Sequence, residues 1–202
     1  MNATIKLEHF PVLLNELVSI ISPLYGGTFI DCTFGDGGYS DKILQNVSNK
    51  VLAIDRDKSV KAKAEKFLYK YKQRFKFYNI KFSQINKISN KDLKGVIFDL
   101  GYSLKQISDL NRGISFKSKG KLDMRMGINN YSCDKVVTNM SQKNLYKIFK
   151  FFGEEKYSKL ISKKIIDVRK KKKISTEELV KIIESIKTKK NRRNNSTKIF
   201  QA

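Results

Sequence analysis

The sequence predicts an α/β protein: a parallel sheet covered on both faces in the first half of the chain, then an all-helical region. Three observations carry this. Short apolar segments alternate with helical stretches as far as Tyr102. Those segments are too apolar to face water on either side, as strands inside a parallel sheet are. After Tyr102 the strand signals stop and helical stripes replace them. There is no internal repeat, and 202 residues, 40% of them hydrophobic, suffice for one large domain or two small ones.

The elements follow in order. Leu13, Leu14, Leu17, Val18 and Ile21 share one helical face, with Pro11 at the permitted first turn and Pro23 as the stop. Thr28 to Thr33 reads as a strand that runs into a glycine-rich turn. Val51 to Ile54 is a second strand and Lys58 to Tyr71 a lysine-rich helix. Phe75 to Tyr78 makes a third strand, and Val96 to Leu100, after Gly95, a fourth. Asn111 to Met126 is loop, punctuated by Gly and Ser. Three helices follow, with core stripes Leu145-Ile148-Phe149-Phe152, Leu160-Ile161-Ile165-Val168 and Leu179-Ile182-Ile183-Ile186. Gly153 halts the first, and Ser175 with Glu178 forms a capping-box pattern for the last. The basic runs Arg169–Lys173 and Lys187–Arg193 read as solvated helix ends grouped beside the loop.

Composition narrows the function classes. No apolar run approaches the roughly 20 residues that span a bilayer, and Glu8 and His9 interrupt the stretch where a signal peptide would be apolar. Cys32 and Cys133 are too few for a disulfide scaffold, and with His9 the only histidine a conventional zinc site is nearly excluded. A soluble protein of a reducing compartment, the cytoplasm, is expected, with no metal and no membrane partner. Charge is the strongest single feature: 42 basic minus 19 acidic residues gives +23. Two readings stand. Such an excess attracts polyanions, nucleic acid being the usual one. It also suits a merely solvated surface, since 35 of the 42 are lysine, a bias that an AT-rich coding sequence produces.

The chemistry concentrates at strand ends. Asp31-Cys32-Thr33-Phe34-Gly35-Asp36-Gly37-Gly38 lies where the first strand meets a helix, at the carboxyl edge of the sheet, where glycines let a backbone approach a cofactor. Ser40 stands where the third glycine of G-x-G-x-x-G would fall, which disfavours a NAD-linked enzyme, and there is no P-loop lysine. Asp55 ends the second strand and suits the two hydroxyls of a ribose, or a helix N-cap. Asp99 ends the fourth. Three carboxylates at three strand ends, Asp31, Asp55 and Asp99, fit a positively charged cofactor such as S-adenosylmethionine better than an anionic dinucleotide.

These segments also stand in a familiar order. His9-Phe10-Pro11-Val12-Leu13-Leu14, Asp31 to Gly38, Ala53 to Asp57, Phe98 to Gly101, Arg112-Gly113-Ile114-Ser115-Phe116, Leu122-Asp123-Met124-Arg125-Met126 and Gly153-Glu154-Glu155 together resemble the RsmH/MraW family across essentially the whole chain. That family consists of S-adenosylmethionine-dependent enzymes that methylate cytosine N4 in the decoding region of 16S ribosomal RNA. The resemblance implies a doubly wound, Rossmann-like methyltransferase sheet with an inserted helical domain. It divides the chain into a cofactor domain at 1–104, a helical RNA-recognition insert at 105–197, and a start of the return at 198–202.

Cofactor contacts are implied at Gly37, Gly38, Tyr39, Asp55, Phe82, Asp99 and Gln106. Tyr39 stands where the family usually has His, and Leu104 where it has a second Ser. Asp99, with the backbone of 100–103, is the candidate acceptor for the cytosine amine; the other reading of Asp99 is cofactor binding alone. Arg112, Arg125 and Lys170, Lys171, Lys172 and Lys173 are candidate RNA contacts, with a salt bridge to Asp123 as the alternative for Arg125. Family members continue into further strands after the match to Lys198–Ala202. A C-terminally incomplete, four-stranded sheet is therefore expected, with Val96, Ile97 and Phe98 on a bare edge, marginal stability, self-association and weak activity. The rival reading is a non-catalytic RNA-binding remnant of such an enzyme.

Overall fold

The computed structural model describes residues 13–21, 23–88, 92–187 and 194–202. Pro11 and the motif residues 9–12, and positions 188–193 of the second basic run, lie outside the described residues. The chain forms two units: Met1–Ser103 with Met126–Ile128, and Leu104–Arg125 with Asn129–Ala202.

The first unit is built on four parallel strands: β1 (Gly27–Asp31), β2 (Asn49–Ile54), β3 (Phe75–Tyr78) and β4 (Leu93–Ile97), in the order β3-β2-β1-β4. Helices α1 (Leu14–Ile21), α2 (Gly38–Leu44) and α3 (Lys61–Tyr71) accompany them. Side chains alternate across the strands. Phe29, Val51, Ala53, Phe75 and Ile97 pack with Ile43 and Leu44 of α2 and Ala64 and Phe67 of α3. Ile30, Cys32, Leu52 and Ile54 form a smaller cluster on the opposite face with Ile88. This is a Rossmann-like α/β sheet, as expected.

β4 begins and ends three residues earlier than the sequence reading placed the fourth strand. Its pairing with β1 stops at Asp31 opposite Ile97, and the next free amide, that of Asp99, donates to Thr33 Oγ1 (2.8 Å) instead of a ladder carbonyl. Phe98 to Leu100 therefore leave the sheet. β4 is an edge strand on which Leu93 and Val96 are exposed, while Ile97 is buried.

The second unit is helical: α4 (Leu104–Ser108), α5 (Cys133–Asn139), α6 (Gln142–Phe151), α7 (Ser158–Arg169), α8 (Thr176–Ile186) and α9 (Thr197–Gln201). Serine hydroxyls cap three of them. Ser132, Ser141 and Ser175 accept from the amides of Lys135, Asn144 and Glu178. Only half of the expected capping box forms, because the Glu178 carboxylate pairs with Lys172 (2.8 Å). The core gathers Leu145 and Phe149 of α6, Ile161 and Ile165 of α7, Leu179, Ile182 and Ile183 of α8 and Ile199 of α9. Residues 198–202 belong to this unit, with α9 against Gly153.

Two stripe residues are corrections. Phe152 is 74% exposed and Leu160 54% exposed. Phe152 is the C-terminal cap of α6, its amide still bonded to the Ile148 carbonyl (3.0 Å) but its side chain beyond the last turn that packs on the core, and Leu160 is about 100° around α7 from the buried Ile161. Arg169 also departs from the expected solvated run. Its guanidinium donates to the carbonyls of Val137 (3.0 Å) and Met140 (2.6 Å), closing the C-terminal end of α5.

Candidate functional site

The turn from β1 to α2 is tied to both neighbouring strands. The Cys32 amide donates to the Ile97 carbonyl (2.9 Å) and the Phe34 amide to that of Ile54 (3.0 Å). Gly37 then caps α2 in the left-handed conformation, φ +79°. A Cβ there would stand 2.6 Å from the Phe67 ring and 2.9 Å from that of Phe34, so only glycine fits. Gly38 is the first residue of α2, and Tyr39, next in line, is buried.

Three carboxylates meet this turn. Asp31 is fully buried at the end of β1, accepting from the Ser40 hydroxyl (2.7 Å) and the Thr33 amide (3.2 Å). Burial pushes its carboxyl up to about 6, with Asp55 and Asp99 adding repulsion. Asp55 follows β2 and accepts from the Gly35 amide on one oxygen and the Asp57 amide on the other, each at 2.8 Å. Its own carbonyl takes the Asn79 side-chain amide (2.8 Å). Burial raises the Asp55 carboxyl as well, with its two amide donors opposing. Asp99 hydrogen-bonds with Tyr39, and burial and the negative charge of Asp99 together raise the Tyr39 phenol. Among the described residues no ion pair reaches any of the three carboxylates.

Phe82 opens the segment after β3 and stacks edge-on against Phe98, centroids 5.6 Å apart. A strap of three residues, Met126–Ile128, completes this edge. The Ile128 amide donates to the Arg56 carbonyl (2.9 Å), and Gly127, φ +130°, lies so close that a Cβ would collide with that carbonyl. Sequence reasoning missed the strap, Thr33 and Asn79; a glycine directly after Leu-Asp-Met-Arg-Met was the one available signal.

The structure thus gathers Gly37, Gly38, Tyr39, Asp55, Phe82 and Asp99 in the first unit, whereas Gln106 stands on α4 of the second. In that second unit Arg112 pairs with Asp109 (3.3 Å). Arg125 grips Asp123 with two bonds, 2.7 and 2.6 Å, the salt bridge foreseen as the alternative for that residue. Lys172 and Lys173 pair with Glu178 (2.8 Å) and Asp134 (3.5 Å), and Lys170 and Lys171 are exposed after α7. Among the described residues there is no group of three potential metal ligands, and no helix is long and apolar enough to cross a membrane.

A sequence model of the MraW methylase family matches residues 6–202. The chain is 42% identical over 202 residues to the ribosomal RNA small subunit methyltransferase H of Orientia tsutsugamushi (strain Ikeda), covering 96% of this chain and 65% of that protein. The protein of the same name from Rickettsia bellii (strain OSU 85-389) is 40% identical over 197 residues, with 96% and 65% covered. That from Ehrlichia canis (strain Jake) is 41% identical over 202 residues, with 96% and 68% covered. The chain therefore spans about 65% of the length of the first of the curated relatives it matches.

Proposed function

Since the chain belongs to the MraW methylase family, we propose that its first unit binds S-adenosylmethionine and that it methylates cytosine N4 in small-subunit (16S) ribosomal RNA. The observation that carries the cofactor reading is the convergence of Asp31, Asp55 and Asp99 on one glycine turn, with no ion pair to any of the three among the described residues and Arg56 the one cation acting on Asp55. Such a site favours a ligand with positive charge. The Nε of Arg56, buried without a partner beside Asp55, adds a donor for the ligand's acceptors.

Bound there, S-adenosylmethionine supplies a methyl group on a positively charged sulfur that departs as a neutral thioether. The residues of the chain do the rest. Each Asp55 oxygen takes one backbone amide and keeps a lone pair for a ribose hydroxyl. Gly37 and Gly38 keep the turn open for close approach, while Tyr39 and Phe82 contribute contacts. The lone pair of the cytosine amine is delocalised into its ring, so attack needs an acceptor that takes an N–H bond and orients the nitrogen. Asp99, just past β4 and already an acceptor for Tyr39, fills that role. The base must leave its stack to reach it, at a cost of a few kcal/mol. Arg112, Arg125 and Lys170–Lys173 offset this through phosphate contacts; their surface ion pairs are worth about 0–1 kcal/mol and open readily.

Action in the cytoplasm, on the small ribosomal subunit, accords with the two unpaired cysteines. The open edge of β4, with exposed Leu93 and Val96, also supports self-association of a second copy through that strand; light scattering that finds only monomer contradicts it.

The function is tested by incubating the chain with methyl-labelled S-adenosylmethionine and small-subunit RNA. The expected product is labelled N4-methylcytosine, abolished or sharply reduced in Asp99→Ala. RNA binding without any transfer would favour the non-catalytic reading instead.

A further inference from the structure

We propose that the closed end of the α6–α7 hairpin is a stacking platform for an unpaired RNA segment, a subsite distinct from the strand-end carboxylates. This rests on the RNA-directed function proposed above. Phe151 is 70%, Phe152 74%, Tyr157 47% and Leu160 54% exposed. Phe152 and Tyr157 are the first and last residues of the six-residue connection from α6 to α7, and Phe151 and Leu160 stand on the helical turns on either side of it. The connection is held rigid. Glu155 turns inward to Lys187 (2.7 Å), its amide donates to the Phe149 carbonyl (2.9 Å), and the Lys198 ammonium bonds the Glu154 carbonyl (2.9 Å). The aromatic side chains are therefore displayed on a fixed frame in contact with water.

Charge identifies the occupant. Between residues 143 and 166 seven lysines stand against Glu154 and Glu155, and Glu155 is already neutralised by Lys187. Lys147 stands one turn before both Phe151 and Lys150, and Lys163 and Lys164 stand one turn after Leu160. Among the described residues none of these four lysines forms an ion pair. Aromatic faces set among unpaired cations are the means by which proteins hold single strands: bases stack on the rings while phosphates meet the lysines. A duplex offers no free base faces and does not satisfy the rings.

The test uses the full chain and RNA oligonucleotides, one unpaired and one blunt duplex. The chain has no tryptophan, so Phe152→Trp introduces a single tryptophan at the platform, excited selectively over the nine tyrosines. We expect its emission to be quenched by the unpaired oligonucleotide and not by the duplex. Phe151→Ala with Phe152→Ala should weaken unpaired-RNA binding at least about tenfold and leave the salt slope unchanged. Lys147→Gln with Lys150→Gln should lower that slope by about 1.4, at about 0.7 per phosphate contact on a single strand. Wild-type chain that binds RNA while the fluorophore stays unquenched and the double alanine variant binds equally well would overturn the platform alone. A fluorophore shifted by small-subunit proteins and not by RNA would assign the patch to a protein partner and overturn it too. No RNA binding by wild type would overturn both this proposal and the function it rests on.

Discussion

Asp31 carries a pH signature that separates the unliganded chain from the liganded one. Burial holds its carboxyl at about 6, against 3.8 for the ordinary side chain. The folded chain therefore keeps this proton between about pH 4 and 6 while the unfolded chain has lost it. Stability from this group is present below about pH 4 and declines as pH rises through 6. A cation bound beside it reverses the preference, since it favours the ionised form. Affinity for S-adenosylmethionine should accordingly fall about tenfold from pH 7 to pH 5, and Asp31→Asn should flatten that profile; titrations at three pH values read it. At this scale much of the site was legible. Asp31 and Asp55 follow from acids at the ends of apolar strands and Gly37 from a turn that meets a helix, whereas Asp99 lies two residues past the end of β4 and not within it. Thr33 and Asn79 were not, because their work is to satisfy backbone groups whose orphan status depends on where β4 and β3 stop.

Elements are held by a few contacts that single substitutions expose. In the strap 126–128, a Gly127→Ala side chain would meet the Arg56 carbonyl and force a left-handed residue into strain worth about 1–3 kcal/mol. Because Arg56 adjoins Asp55, cofactor affinity should drop while far-ultraviolet circular dichroism is preserved. In the helical unit, Lys187 and Glu155 form a pair whose side chains are only 10% and 2% exposed. Lys187→Met leaves the buried carboxylate alone and should cost about 3–5 kcal/mol in urea unfolding. Adding Glu155→Met should recover most of it, which a merely bulky effect would not. Short apolar runs made β3 readable to the residue and β1 and β2 to within two residues at either end. Helix stripes marked α6, α7 and α8 but overreached at Phe152 and Leu160, since periodicity does not reveal where a helix stops or which neighbour of a core residue turns outward. The short α4 and α9 carry too few turns to show a period at all.

For the whole molecule, the two readings of the +23 charge make opposite forecasts. If lysines meet phosphates, RNA affinity falls by orders of magnitude between about 50 and 200 mM salt, and neutralising Lys170 to Lys173 reduces the slope of that dependence. A flat response would make the charge a property of composition. The parallel sheet and the helical character of the second half were plain in the sequence. That Met126–Ile128 belongs with the first unit was not, because a return of three residues carries no hydrophobic pattern. Whether the acidic sheet edge binds a cofactor is read by calorimetric titration of the chain with S-adenosylmethionine. A cofactor site there gives saturable one-to-one heat, with the dissociation constant raised about tenfold or more in a folded Asp55→Ala variant, the loss of a charged hydrogen-bond acceptor being worth about 1.5–3 kcal/mol. No saturable heat, or an unchanged constant in that variant, would contradict it.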